Sequence, residues 1–183
     1  MDWSPDGRFL LYMDTDPKTG RDLWVLPMTG DRKPTVFVNT SYGEWNGQFS
    51  SDGRWVAYQS NESGRNEVYV RPFATASATP GGQWQVSTNG GIMPRWRRDG
   101  RELYYVAGDA KLMAAPVQAS GTGFQAGTSV PLFQTQIVGG LTTTSRTGYV
   151  AAADGRFLIF NATGNQSTPP ITLVVNWTAG LKK

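Results

Sequence analysis

The stretch Trp3-Ser4-Pro5-Asp6-Gly7-Arg8-Phe9-Leu10-Leu11-Tyr12 decides how this chain is read, because its Asp-Gly-Arg core returns at Asp52-Gly53-Arg54, Asp99-Gly100-Arg101 and Asp154-Gly155-Arg156. The spacings are 46, 47 and 55 residues. Trp3, Phe49, Trp96 and Ala151 stand three residues before the aspartates; Leu10, Val56, Leu103 and Leu158 stand four after, and Tyr12, Tyr58, Tyr105 and Phe160 six after. Asp-Gly between alternating apolar runs is a strong hairpin signal, since both residues tolerate positive φ and the turn then matches the twist of its strands. Asp6, Gly7, Asp52, Gly53, Asp99, Gly100, Asp154 and Gly155 are therefore expected to be turn residues.

Working outward, each hairpin is followed by a third strand: Leu23 to Pro27, Val68 to Pro72, Leu112 to Pro116 and Leu173 to Asn176. The proline repeats in the first three and is expected where ladder pairing stops, because proline cannot donate a hydrogen bond. Fourth strands are expected at Thr35 to Val38, Trp84 to Ser87 and Leu132 to Gln134. No ten-residue stretch has helical periodicity, and turn clusters such as Asn61-Glu62-Ser63-Gly64 separate the strands. Second strands such as Phe9-Leu10-Leu11-Tyr12 are apolar on both faces, as a sheet sandwiched between two neighbours requires. Four-stranded units at this period define an all-β partial β-propeller of about four antiparallel blades. One domain spans residues 1–183, with blades at about 1–40, 41–88, 89–136 and 137–178, the last incomplete.

Composition narrows the chemistry. Cysteine and histidine are both absent, which removes disulfides, thiolate nucleophiles, Cys/His zinc sites and a Ser-His-Asp triad within the chain. Seventeen basic against fourteen acidic side chains leave a formal charge of +3, too small an excess to favour nucleic acid. No run of eighteen apolar residues is present and the polar start lacks the pattern of a signal peptide, so neither a membrane span nor an export signal is expected in this chain.

Trp3-Ser4-Pro5-Asp6-Gly7-Arg8 with Phe9-Leu10-Leu11-Tyr12 resembles the PD40 repeat, the WD40-like unit of TolB-type propellers. Later units keep the turn but lose the proline, at Ser51-Asp52-Gly53, Arg98-Asp99-Gly100 and Ala153-Asp154-Gly155. Pro94 to Leu103 and the ending Asn176 to Leu181 are also similar to the C-terminal propeller of bacterial proteins that carry an N-terminal serine/threonine kinase domain; no kinase motif is present here. The resemblance implies a periplasmic or extracellular setting and a longer parent propeller of six or more blades. It makes the chain the last part of such a ring, with an abbreviated first strand in blade 1. Two copies are then expected to self-associate through open blade edges, Ile171 to Trp177 of one against blade 1 of the other; a closed four-bladed monomer is the alternative.

Candidate site residues are few. Glu44, Trp45 and Asn46 occupy the inner-strand positions that hold Gly91, Ile92 and Met93 in blade 3 and Arg146, Thr147 and Gly148 in blade 4. Turn residues repeat while these vary, which is how a fold separates from a site. Arg95 and Arg97, with Arg98 and Arg101, surround Trp96 and suit a carboxylate or phosphate, although strand alternation sends Trp96 to one face and Arg95 with Arg97 to the other. Trp45 and Trp84 lie outside the repeated aromatic set and are interface candidates. Asp14-Thr15-Asp16 is expected to be a solvated loop, and the repeated turns are expected tens of ångströms apart, so no metal set is assigned. No catalytic residue and no cofactor is assigned either. The expected role is a non-catalytic propeller that binds a protein or small-molecule ligand; the alternative is a metal-assisted hydrolase or lactonase, or the accessory propeller of a peptidase.

Overall fold

The computed structural model describes residues 1–73, 82–120, 123–137 and 148–160, together with the backbone of 172–174. Each Asp-Gly-Arg turn closes on a hydrogen bond from its glycine N–H to the carbonyl three residues back, Gly7 to Ser4, Gly53 to Ser50, Gly100 to Arg97 and Gly155 to Ala152. Only the glycines take the left-handed conformation, with φ of 69°, 70°, 73° and 82°. The aspartates do not share it, so the two-residue turn expected from the sequence is replaced by a four-residue turn that ends on glycine. The Asp side chain instead builds the turn from outside. Asp6 and Asp52 each accept the backbone N–H and Nε of the following arginine, and each also accepts the hydroxyl of a serine two residues earlier.

These turns open four antiparallel sheets. The first has the order β1 (Asp2–Trp3), β2 (Phe9–Asp16), β3 (Gly20–Pro27), β4 (Thr35–Val38), and the second β5 (Glu44–Phe49), β6 (Trp55–Ser60), β7 (Glu67–Pro72), β8 (Trp84–Gln85). The third comprises β9 (Gly91–Trp96), β10 (Glu102–Ala107), β11 (Lys111–Ser120), β12 (Gly123–Ala126) and β13 (Val130–Gln134), and the fourth β14 (Tyr149–Ala151), β15 (Phe157–Ile159), β16 (Thr172–Val174). Asp14-Thr15-Asp16 belongs to β2 rather than to a loop; Asp16 accepts the Lys18 N–H at 2.7 Å and so caps the hairpin that follows.

The repeated proline limits pairing on one side only. The residues after Pro27, Pro72 and Pro116, namely Met28, Phe73 and Val117, still donate to the carbonyls of Arg8, Arg54 and Arg101 on the second strand. Outward, β13 leaves β11 at Ala114, and β12, a strand not expected from the sequence, takes over from Val117.

Sheets stack through apolar faces. Leu11, Leu23 and Val25 of the first meet Phe49, Val56, Tyr58 and Tyr69 of the second; Trp55, Val68 and Val70 on the opposite face of the second meet Trp96, Leu103, Tyr105 and Phe124 of the third. Tyr104, Val106 and Leu112 of the third meet Tyr149, Phe157 and Ile159 of the fourth. Every residue of β6 is buried, as an all-β partial propeller demands of a blade with two neighbours. Trp84 is no surface residue in waiting, since it packs against Trp55 and Phe124 with ring centroids 5.6 and 5.8 Å apart.

Blade 4 breaks the repeat. In the first three blades the residue two before the Asp donates to the carbonyl five residues on, Ser4 to Phe9, Ser50 to Trp55 and Arg97 to Glu102; in the fourth, Ala152 donates to Arg156, only four on. Ala151 therefore pairs with Phe157, whereas Phe49 pairs with Val56 and Trp96 with Leu103. A one-residue slip exchanges the two faces of a strand. Phe157 and Ile159 point into the core, and Leu158 and Phe160, which stand at the repeat positions of the buried Val56 and Tyr58, are 44% and 61% exposed. At the other end, Trp3 (52% exposed), Tyr12 and Trp24 lie on the face of blade 1 that has no neighbour among the described residues, so they are not inter-blade packing as Tyr58, Tyr69, Trp96 and Tyr105 are.

Candidate functional site

The inner strands of all four blades meet around one cleft of about 220 Å³. Met1 and Asp2 of the first blade, Gly47 and Gln48 of the second, Arg95 and Trp96 of the third, and Val150 and Ala151 of the fourth line it. Cross-blade hydrogen bonds fix its walls: the Phe49 N–H donates to Asp2 Oδ2 at 2.8 Å, Trp96 donates its backbone N–H and its Nε1 to Gln48, and the Tyr149 hydroxyl donates to the Met93 carbonyl at 3.0 Å. β5 and β9, which supply Gly47, Gln48, Arg95 and Trp96 to the lining, share a bulge. Asn46 and Met93 both take φ of 55°, at the points where the register to β6 and to β10 shifts. Both bulges are tied to one acceptor, Gln59 Oε1, which receives Asn46 Nδ2 at 2.8 Å and the Met93 N–H at 3.2 Å. Burial raises the pKa of Asp2, while the Phe49 and Trp3 N–H groups and the nearby Arg95 act the other way. The cleft thus offers a carboxylate, a guanidinium and an amide beside an indole and small apolar residues, a mixed lining that suits a polar ligand with one apolar side.

The sequence candidates scatter. Arg95 lines the cleft. Arg97 does not; it stands in the turn where blades 1 and 2 have serine, 3.3 Å from Asp99 and 3.0 Å from Glu102, whose carboxylate also accepts the Tyr104 hydroxyl. Trp45 is half-buried beneath the Arg21 guanidinium, 5.3 Å from the ring centroid. Asn46 serves the bulge, and Arg146 lies outside the described residues. Glu44 is fully buried rather than open to the channel.

The turns are not tens of ångströms apart. A Cβ added to Gly53 would lie 3.4 Å from Pro5 of the preceding blade, and one on Gly100 would lie 3.4 Å from Ser51 Oγ, so successive turns touch. Each aspartate is nonetheless occupied by an arginine side chain: Asp6, Asp52 and Asp154 by that of their own Asp-Gly-Arg, and Asp99 by Arg97. The Ser4 hydroxyl and the Arg8 N–H hold the Asp6 pKa down to about 2. Burial works against Asp52, but Ser50 and Arg54 outweigh it and its pKa too is lowered. No group of three or more acidic side chains is arranged to hold a metal among the described residues.

Two further carboxylates occupy matched places near the start of the third strands, Asp22 and Glu67, and the sequence did not single them out. Glu67 is 1% exposed and satisfied: it accepts the Ser87 hydroxyl and, at 2.9 Å, the Gly90 N–H. Asp22 is fully buried and accepts Thr19 Oγ1 at 2.7 Å and Asn39 Nδ2 at 3.1 Å, both through Oδ2, so that Oδ1 has no partner. Thr40, which corresponds to Ser87, donates instead to Glu44 Oε1, and Glu44 Oε2 has no partner either. In blade 3 the Glu44 position is Gly91, where a Cβ would collide with Ser87. Burial raises the pKa of Glu44, the Thr40 hydroxyl opposes this, and the charge of Asp22 adds to it.

An open ring of antiparallel blades with a mixed-polarity central cleft defines the class: a partial, TolB-like β-propeller. The chain matches TolB from Acinetobacter baumannii at 14% identity over 90% of its length with a TM-score of 0.61, and a puromycin-hydrolyzing peptidase of Mycobacterium tuberculosis at 17% identity over 96% with a TM-score of 0.64. It spans 37% of the first protein and 29% of the second. No family model and no curated protein matches the sequence.

Proposed function

We propose that the chain is a non-catalytic binding module whose ligand or partner protein docks in the central cleft, with Arg95 as the charged anchor and Gln48 and Asp2 as polar contacts. The observation that carries this is convergence: four inner strands, one from each blade, bring these groups around a single opening. A carboxylate-bearing ligand fits best, since a guanidinium recognises carboxylates by paired hydrogen bonds. Similarity to a TolB propeller supports the reading through fold alone. Trp45 and Arg146 are proposed to contribute to ligand binding, and the module to be the sensing part of a larger bacterial protein of the kinase-linked kind that the repeat resembles. The test is a calorimetric screen of acidic peptides and small carboxylates against the protein and Arg95→Ala. Binding lost in the variant supports the reading, and binding unaltered by it rejects Arg95 as the anchor.

Self-association belongs to the same proposal; the edge Ile171 to Trp177 lies outside the described residues apart from the backbone of 172–174, and the described faces offer a second route. Trp3 and Val36 are exposed on the outer face of blade 1, and Val150, Leu158 and Phe160 on that of blade 4. A second copy stacking blade 4 on blade 1 would bury both. Sedimentation at micromolar concentration should show a dimer that Phe160→Ser weakens; a monomer under those conditions contradicts it.

A further inference from the structure

We infer that Asp22 and Glu44 form a calcium site that pins blade 1 to blade 2 at the end of the blades opposite the Asp-Gly-Arg turns. Glu44 opens β5 and its partner across the pair is Ser60, at the far end of β6 from the turn at Gly53. Both carboxylates are fully buried, one from each blade, and each leaves one oxygen, Asp22 Oδ1 and Glu44 Oε2, without a hydrogen-bond partner. An unpartnered oxygen on one buried carboxylate is expensive, and the Asp22 charge is felt at Glu44 more strongly than the opposing charge of Arg71, so one cation shared between the two acids would relieve both. A proton cancels one charge and serves one oxygen, whereas a divalent cation cancels two charges and coordinates both.

The surrounding donors are hard oxygens, which suit calcium. Thr19 Oγ1 and Thr40 Oγ1 touch the carboxylates directly, so hydroxyl oxygens from two neutral residues stand beside the two acids, while Asn39 donates its amide N–H to Asp22. Asn39 is exposed and Thr19 and Thr40 are half-buried, which gives a short route from solvent. The satisfied counterpart sharpens the case: Glu67 has glycine where Asp22 has Glu44, and its oxygens are taken by Ser87 and Gly90. The second acid is therefore an addition specific to this junction rather than a requirement of the blade.

Two charged ligands and neutral oxygens place the affinity in the range of extracellular calcium modules, a dissociation constant of about 10⁻⁴ to 10⁻³ M. The experiment is calorimetric titration of chelator-treated protein with CaCl₂, with a thermal melt at 10 mM CaCl₂ against NaCl of equal ionic strength. A saturable single site and a raised midpoint are expected, with terbium luminescence excited through tryptophan reporting the same site. Glu44→Gln, a neutral isostere, should weaken calcium binding at least about tenfold and abolish the midpoint shift, and Asp109→Asn, exposed in blade 3, should change neither. Absence of saturable binding in the unsubstituted protein would overturn the inference, as would binding that Glu44→Gln leaves intact. Both readouts are independent of the central cleft and survive if the proposed ligand role fails.

Discussion

Blade 2 and blade 4 carry the same Asp-Gly-Arg turn and bury their second strands in opposite ways. β6 is covered on both faces because blades 1 and 3 clamp it, whereas β15 shows Phe157 and Ile159 to blade 3 and leaves Leu158 exposed. The difference traces to one residue position. Ser50 in blade 2 accepts the Trp55 N–H at 3.0 Å and donates to Asp52 at 2.6 Å in a hairpin spaced over five residues, Arg97 in blade 3 keeps that spacing with its guanidinium on Asp99 and Glu102, and Ala152 in blade 4, with no polar side chain, sits in a turn that closes over four. The hydrophobic pattern of Phe157-Leu158-Ile159-Phe160 does not resist the slip, because either face can serve as the core. Repeats that match in sequence thus diverge in register where the turn, rather than the strand, holds the information.

The largest effect that would break this contrast is at Tyr58 and Phe157. Replacing either by Ala should cost about 3 to 5 kcal/mol in a urea titration, and an unchanged midpoint at Tyr58 would undo the blade 1 to blade 2 interface. Next, Ser50→Ala strips a partner from the buried Trp55 N–H and should cost about 1 to 3 kcal/mol. Leu158→Ser should move stability by no more than about 0.5 kcal/mol; a loss as large as that of Phe157→Ala would restore the unslipped register.

The smallest effect concerns pH. Asp6 is held down to about 2, so its contribution to stability is complete above its unfolded value near 4 and is lost as pH falls through the folded value. A carboxyl titration followed by NMR should place the Asp6 midpoint near 2; a midpoint near 4 would mean that the Ser4 and Arg8 hydrogen bonds do not form in solution.

Much of the fold was legible because the decisive features are local. The turn aspartates, the strand following each turn and the strand ending in Pro27, Pro72 or Pro116 all announce themselves by residue type at fixed offsets. The site was harder. Arg97 sits beside Arg95 in sequence as a charge cluster, yet it also stands in the series Ser4, Ser50, Arg97, Ala152, and its ion pairs are with Asp99 and Glu102 of the turn. The column of Glu44 varies as a channel position would, but variation there records whether the neighbouring blade leaves room, since Gly91 has none. β12 was missed because the chain after Pro116 pairs with a new outer strand, and no repeat offset predicts it.

The absence of cysteine allows the central claim, wedge-shaped blades packed on both faces, to be measured without background. Val56→Cys and Ala57→Cys place thiols on opposite faces of β6, and both sites are fully buried. A thiol reagent should label neither in the native protein and both on unfolding, while Leu158→Cys should label at once. Rapid labelling at one of positions 56 and 57 with protection at the other would give β6 a single covered face, as in two stacked sheets, and would contradict the propeller.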